Sequence, residues 1–257
     1  MIINIAGGNG PLGRTHKPIF EAAGHSVMIS GRKSNPSLEV AATMADLTIV
    51  TVPLEVTAEV ITRVGPYTTA LMDFSGVKVH PVNTMLKYSR SCCEVGGLHP
   101  LYGERASIKG ESVIYCPTIR SGKKCLEIVG ILERAGAKIV KMTPEAHDRY
   151  MDLTQNKRTI MLIEYITEMK AAGLNIQRVY SISPAPTKII LDLLARQVDE
   201  ANGSMYEEMI RHNLFTQRQD LAGLMTPEQI RKYFGSELKP AQERAKRYLE
   251  TSKERTG

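Results

Sequence analysis

The chain has 257 residues, 42% of them hydrophobic, with 33 Lys and Arg against 27 Asp and Glu and a formal net charge of +6. That content suffices for one large core or two moderate ones. No uninterrupted apolar run reaches the length of a bilayer span, so no membrane partner is expected. The positive charge is mild and spread out, and no tryptophan or aromatic RNA-binding motif accompanies it; anionic small molecules are the expected partners, not nucleic acid.

The first element is the apolar run Met1 to Ala6, which reads as a buried strand. It begins at once, with no basic leader before it, and a cytoplasmic protein is expected. Gly7 to Gly13 follow as Gly-Gly-Asn-Gly-Pro-Leu-Gly. Gly8-x-Gly10-x-x-Gly13 between a strand and a helix is the pattern of a dinucleotide-binding turn. The chain turns sharply at Gly8, its backbone approaches a pyrophosphate at Gly10, and Gly13 lets the helix pack on the strand. Gly8, Asn9, Gly10, Pro11, Leu12 and Gly13 are therefore candidate cofactor contacts. A helix is expected over Lys17 to Ala23 and a second strand over Ser26 to Ile29.

Beyond the second strand, an NAD site usually has a carboxylate for the ribose 2′-hydroxyl. Here the chain reads Ser30-Gly31-Arg32-Lys33-Ser34. Arg32 can grip a 2′-phosphate in bidentate fashion and Lys33 adds a point charge, so NADP is expected over NAD, with Ser30, Arg32 and Lys33 as contacts.

Leu47 to Val52 is the third strand, closed by Pro53, with Val52 and Pro53 at the cofactor edge; Glu55 to Val64 reads as a helix and Ala70 to Phe74 as a strand. Further strands are expected at Glu94 to Leu98, Ser112 to Cys116 and Lys138 to Lys141, with a helix from Lys123 to Ala135 ended by Gly136. The four cysteines, Cys92, Cys93, Cys116 and Cys125, have neither zinc-site spacing nor a disulfide pattern, and no metal is expected. From Pro144 only helices are expected: Glu145 to Ala171, Thr187 to Asn202, Met205 to Leu214, and a last stretch from Pro227. Within it the basic segment Lys239 to Arg255 alternates with Glu243, Glu250 and Glu254, as on a solvated helix. The fold class is therefore α/β, a Rossmann-type doubly wound sheet over residues 1–144 followed by an all-helical domain over 145–257. The helical part has little interior of its own to expect, and Met161, Leu162, Tyr165, Ile166 and Met169 suggest a homodimer formed through it.

Ligands of open α/β sheets sit outside the carboxyl ends of the strands. The sequences expected there are Asp73-Phe74-Ser75-Gly76-Val77-Lys78, Gly97-Leu98-His99-Pro100-Leu101-Tyr102-Gly103 and His147-Asp148. Together with the glycine turn and Thr51-Val52-Pro53, these resemble the prephenate dehydrogenase family of tyrosine biosynthesis. The likeness runs from Ile2 to about Asn213 and includes Ser183-Pro184 through Arg196 and Ser204-Met205-Tyr206, similar to the family's helical dimerisation domain. It implies NADP-dependent oxidative decarboxylation of prephenate to 4-hydroxyphenylpyruvate, driven by aromatisation.

By the resemblance, His99 accepts the hydroxyl proton, a task that suits an imidazole with an ordinary pKa near 6.5. Arg196 aligns with a substrate-carboxylate arginine, Lys188 is a weaker candidate on the same helix, and Gln155 matches a pocket position. The resemblance also implies a serine beside the histidine, but this chain has Gly76 there and Ser75 one place earlier, so Ser75 is a candidate for that contact. Arg105 stands where an acid is common, and Thr159, after Lys157 and Arg158, where a histidine is common. Added positive charge from Arg105, Lys157 or Arg158 would favour a more acidic substrate. Arogenate or an amino-substituted prephenate is an alternative substrate. The turn also resembles deazaflavin-linked NADP reductases, and a non-catalytic NADP-binding regulator is a third reading.

Overall fold

A computed structural model describes residues 1–198, 203–213, 216 and 223–254. Contacts divide the chain into two units, Met1–Tyr150 and Met151–Gly257.

The first unit holds one seven-stranded sheet. Its strands are β1 (Ile2–Ala6), β2 (Ser26–Ser30), β3 (Leu47–Val50), β4 (Ala70–Asp73), β5 (Glu94–Pro100), β6 (Ser112–Pro117) and β7 (Lys138–Lys141). The order is β2-β1-β3-β4-β5-β6-β7. The first five pair in parallel, with Ala6 beside both Ser30 and Val50. The doubly wound reading holds over these strands. The step to β6 is antiparallel, with His99 opposite Ile114, and β7 then runs parallel to β6.

Six helices belong to this sheet: α1 (Pro11–Ala22), α2 (Leu38–Met44), α3 (Leu54–Val64), α4 (Val79–Tyr88), α5 (Lys123–Arg134) and α6 (Pro144–Met151). On one face Ile3, Ile5, Leu47, Ile49 and Met72 pack with Phe20 of α1 and Ile128 and Ile131 of α5. On the other, Ala6, Val50, Leu71 and Val95 meet Leu38, Ile61 and Met85 from α2, α3 and α4. Central strands covered on both faces explain why Leu47–Val50, Thr48 included, is buried throughout.

α1 starts at Pro11, six residues before the expected Lys17, because proline at the first helical position has its φ already set and gives up an N–H that has no partner there. α2 and α4 escaped the sequence reading. α2 is only seven residues, capped by the Ser37 hydroxyl, and the N-terminus of α4 is held by a carboxylate from far along the chain. α6 is grouped with the first unit, beyond the boundary expected near Pro144, because His147 and Asp148 bond into it.

In the second unit the expected continuous helix from Glu145 is interrupted. Asp152–Lys157 forms a π-helical stretch before α7 (Arg158–Ala171). Then come α8 (Ile176–Ile182), which was not anticipated, α9 (Ala185–Gln197), α10 (Gly203–His212) and α11 (Pro227–Glu254). Residues 199–202, Leu214 and Arg255, within the helices expected from the sequence, lie outside the described residues, as do the side chains of Ser204, Met205 and Tyr206. This unit does build an interior: Leu162, Ile163 and Ile166 pack with Leu194, Ile230, Phe234 and Leu238. Leu162, Ile166 and Met169 are thus buried by their own chain, while Met161 stays 58% exposed. Among the described residues no helix is long and apolar enough to cross a membrane.

Candidate active site

The glycine turn leaves β1 at its carboxyl end, where β2 and β3 flank β1 on opposite sides. This is the switch point of the sheet. The residue with left-handed backbone is Gly7, φ 88°, not Gly8, where the sequence placed the sharp turn. A Cβ there would also press on Val52 at 2.8 Å. Gly13 fits against the turn so closely that a Cβ on it would lie 2.2 Å from the Gly8 carbonyl oxygen. Gly10 caps α1 without a side-chain bond, and the first helical turn carries no acid. Its amides therefore face an open, electropositive end, a cradle that suits a dinucleotide phosphate.

Ser30, Val52 and Pro53 come to the same edge. The Gly7 amide donates to the Ser30 carbonyl at 2.8 Å, while the buried Ser30 hydroxyl is turned inward and donates to Asn4 Oδ1 at 2.9 Å. Arg32 and Lys33 are exposed just beyond β2, with no acidic neighbour in Gly31 to Ser34. Arg14, in the first turn of α1, donates to the Asn9 carbonyl at 2.5 Å and pairs with Glu104 through two nitrogens, at 2.8 and 2.6 Å.

His99 lies three strands along the same sheet from β1, near the carboxyl end of β5 and 7% exposed. Its Nδ1 is 2.8 Å from His147 Nε2, and His147 Nδ1 is 2.7 Å from Asp148 Oδ1. Asp148 also accepts the backbone N–H groups of Lys78 and Val79, at 2.7 and 3.0 Å, and so caps α4. Because Asp148 is the acceptor, His147 carries its proton on Nδ1. A neutral His147 then offers the lone pair of Nε2, and His99 must donate from Nδ1. The Nε2 of His99 keeps its lone pair. Burial, with the nearby His147 and Lys78, holds His99 well below the usual histidine range. Burial also lowers His147, against the opposing pull of Asp148. Both rings are therefore neutral near pH 7, and the arrangement can accept a proton at His99 Nε2.

Below this pair, the fully buried Lys78 ammonium donates to Asp73 and to the Leu98 carbonyl, the latter at 2.8 Å. Ser75 does not take up the expected contact with His99. Its hydroxyl is used by Asp73 and by the Val77 carbonyl, and the position beside His99 is filled by His147. Arg105 is turned to Glu111, 3.1 Å from its Nε, while its backbone amide donates to Thr15 of α1 at 2.9 Å. His16, on the same helix, accepts from the Tyr102 hydroxyl at 3.0 Å and donates to the Leu12 carbonyl at 2.7 Å. Burial lowers its pKa to about 4. Cys93, Cys116 and Cys125 are buried free thiols, the last two pushed up to about 12, so they are not nucleophiles.

The other expected residues lie in the second unit. Gln155 is in the π-helical stretch; its backbone carbonyl accepts from the Thr159 hydroxyl at 2.7 Å, and its side-chain Oε1 is buried with no hydrogen-bond partner among the described residues. Lys188 sits over the Tyr180 ring, 5.4 Å from its centre. Arg196 is half-buried on α9, next to Gln197, whose amide donates to Thr159 at 2.8 Å.

The sequence placed His147 and Asp148 at the strand carboxyl ends without giving them a contact, and the structure sets them against His99. Their signal was the His-Asp pair itself, which an ordinary helix cap explains equally well. His16 gave no signal, since a lone histidine on a helix has no pattern.

The family described as prephenate dehydrogenase, nucleotide-binding domain, matches residues 13–141, half of the chain. A probable arogenate/prephenate dehydrogenase of Methanocaldococcus jannaschii is 24% identical over 234 residues, 83% of this chain and 52% of that relative. The chain thus spans about half the length of the curated relatives it matches. Among solved structures, prephenate dehydrogenase from A. aeolicus, in complex with hydroxyphenyl propionate and NAD+, has TM-score 0.66 at 16% identity, covering 99% of this chain and 96% of that one. Synechocystis arogenate dehydrogenase has TM-score 0.65 at 16% identity and full coverage of both chains. Likeness at that identity is one of fold.

Proposed function

The chain belongs to the prephenate dehydrogenase family, and from that premise we propose that it oxidises and decarboxylates prephenate with NADP, in tyrosine biosynthesis. The observation that carries this reading is His99, buried at the end of β5 with Nε2 as its acceptor nitrogen, in the same sheet as the glycine cradle. His99 Nε2 takes the proton of the substrate's ring hydroxyl as the carbinol carbon is oxidised. A bound nicotinamide supplies the hydride acceptor. Loss of carbon dioxide and aromatisation then leave the protein with positioning and proton transfer as its main tasks.

NADP over NAD rests on Arg32 and Lys33, both exposed just beyond β2 and able to pair with a 2′-phosphate. A prephenate dehydrogenase from A. aeolicus was solved with NAD+; the preference for NADP proposed for this chain rests on Arg32 and Lys33 alone. Arg196, Lys188 and Gln155 remain proposed contacts for the substrate carboxylates. Arg105 is weaker, because Glu111 already engages its guanidinium. A homodimer is proposed for the helical unit on its exposed apolar side chains, Met161, Ile182 and Ile189 among them.

Arogenate is the second reading, since the M. jannaschii relative carries both substrate names. Appearance of reduced nicotinamide with prephenate or arogenate, each with NADP or NAD, tests both. Turnover with prephenate and NADP is expected, and His99→Asn should lower kcat by about 10³-fold or more while leaving NADP binding intact. Full turnover in that variant would remove His99 as the base. Silence with every pair, in protein that still binds NADP, would favour a regulator.

A further inference from the structure

We propose that His147 and Asp148 are positioning residues for His99: they fix the tautomer that leaves Nε2 free as the base, and His147 receives the displaced Nδ1 proton. The proposal rests on the reading of His99 as the proton acceptor.

A neutral imidazole has one N–H, and if it lies on Nε2 there is no lone pair for the substrate hydroxyl. The acceptor at 2.8 Å, His147 Nε2, decides the matter in favour of Nδ1–H. His147 can act as that acceptor only because Asp148 takes its own Nδ1–H at 2.7 Å. Asp148 is itself held in place by the backbone N–H groups of Lys78 and Val79 at the start of α4. The chain of contacts runs from a helix N-terminus through a carboxylate and two rings to the base, with every member in the first unit.

The step balances. The substrate hydroxyl gives its proton to His99 Nε2, His99 gives its Nδ1 proton to His147 Nε2, and His147 becomes an imidazolium facing Asp148. The charged groups around the two rings are Lys78, Asp73 and Asp148. Lys78 is bonded to Asp73 and to the carbonyl of Leu98, the residue before His99. A positive charge kept on His99 would share that pocket with Lys78. Moved to His147, it sits directly on a carboxylate.

The test combines 15N NMR of the histidines with steady-state kinetics. In the wild-type protein His99 should show a protonated Nδ1 and a bare Nε2. His147→Phe removes the acceptor, so the proton should redistribute to Nε2 and kcat should fall on the order of 10²- to 10⁴-fold, with the substrate KM little changed. His147→Gln offers an amide oxygen to Nδ1 but cannot take a proton; it should keep the tautomer and restore only part of kcat. A folded His147→Phe protein with wild-type kcat and an unmoved Nδ1 proton would overturn the positioning role. Wild-type kcat in His147→Gln would overturn the transfer to His147. Failure of the underlying reading looks different: His99→Asn would retain turnover, whatever the NMR shows.

Discussion

The glycine turn and the His99 cluster sit at the same edge of one sheet, yet they are built in opposite ways. The turn is local: Gly7 to Gly13 make it within seven residues, by lacking side chains where Val52 and the Gly8 carbonyl leave no room. The cluster is non-local: Asp73, Lys78, Leu98, His99, His147 and Asp148 come from three separate stretches of chain, and all of its chemistry is side chain against side chain or backbone. The lesson is that the turn depends on shape and the cluster on protonation. His16 joins them, since it lies on the helix that follows the turn and bonds to Tyr102, three residues past His99.

Acidification should separate the two most strongly. Buried His16 is lowered from 6.5 to about 4, and His99 and His147 are lowered as well. Below about pH 6.5 the unfolded chain takes up protons that the folded one refuses, so this stability is complete above that pH and is lost as pH falls towards 4. His16 alone accounts for about 3 kcal/mol across that window. Urea midpoints at a series of pH values would show it, and His16→Gln should flatten the curve. A midpoint independent of pH between those limits would contradict the neutral, buried histidines.

Gly13→Ala attacks the other region. Its Cβ meets backbone rather than a flexible side chain, so α1 must shift, at a cost of about 2–3 kcal/mol. NADP binding should weaken sharply while the 15N signals of His99 and His147 stay in place; coupled loss of both would mean that the turn and the cluster are not separable. The smallest effect belongs to the rim. Arg32→Glu should shift the ratio of kcat/KM for NADP over NAD about tenfold or more towards NAD, about 1.4 kcal/mol, without changing stability. An unchanged ratio would remove Arg32 from the cofactor site.

What could be read in advance follows the same division. The glycines and the seven strands are written in contiguous residues, and the structure displaces these strands only at their edges, although the short helices α2 and α4 between them were not legible. The left-handed residue moves from Gly8 to Gly7, and α1 starts at its proline. His99 could be singled out because its loop pattern is local too. Ser75 could not be placed correctly, because proximity in sequence to Lys78 says nothing about which acceptor its hydroxyl finds first, and Asp73 lies nearer than the histidine pair. The helical segment looked short of interior from one helix at a time. Only the packing of α9 and α11 on α7 shows Leu162 and Ile166 already buried.

The sequence by itself determined the α/β class and the glycine turn after β1, and singled out the loop that carries His99, because each depends on backbone conformation or a pattern within a few residues. Tertiary structure alone decided that Asp148 caps α4, that His147 therefore presents Nε2 to His99, and that Nδ1 of His99 is the nitrogen engaged by it, leaving Nε2 as the acceptor. A hydrogen-bond chain is directional, and its direction is set at Asp148, one residue beyond the His147 ring that lies 48 residues along the sequence from His99.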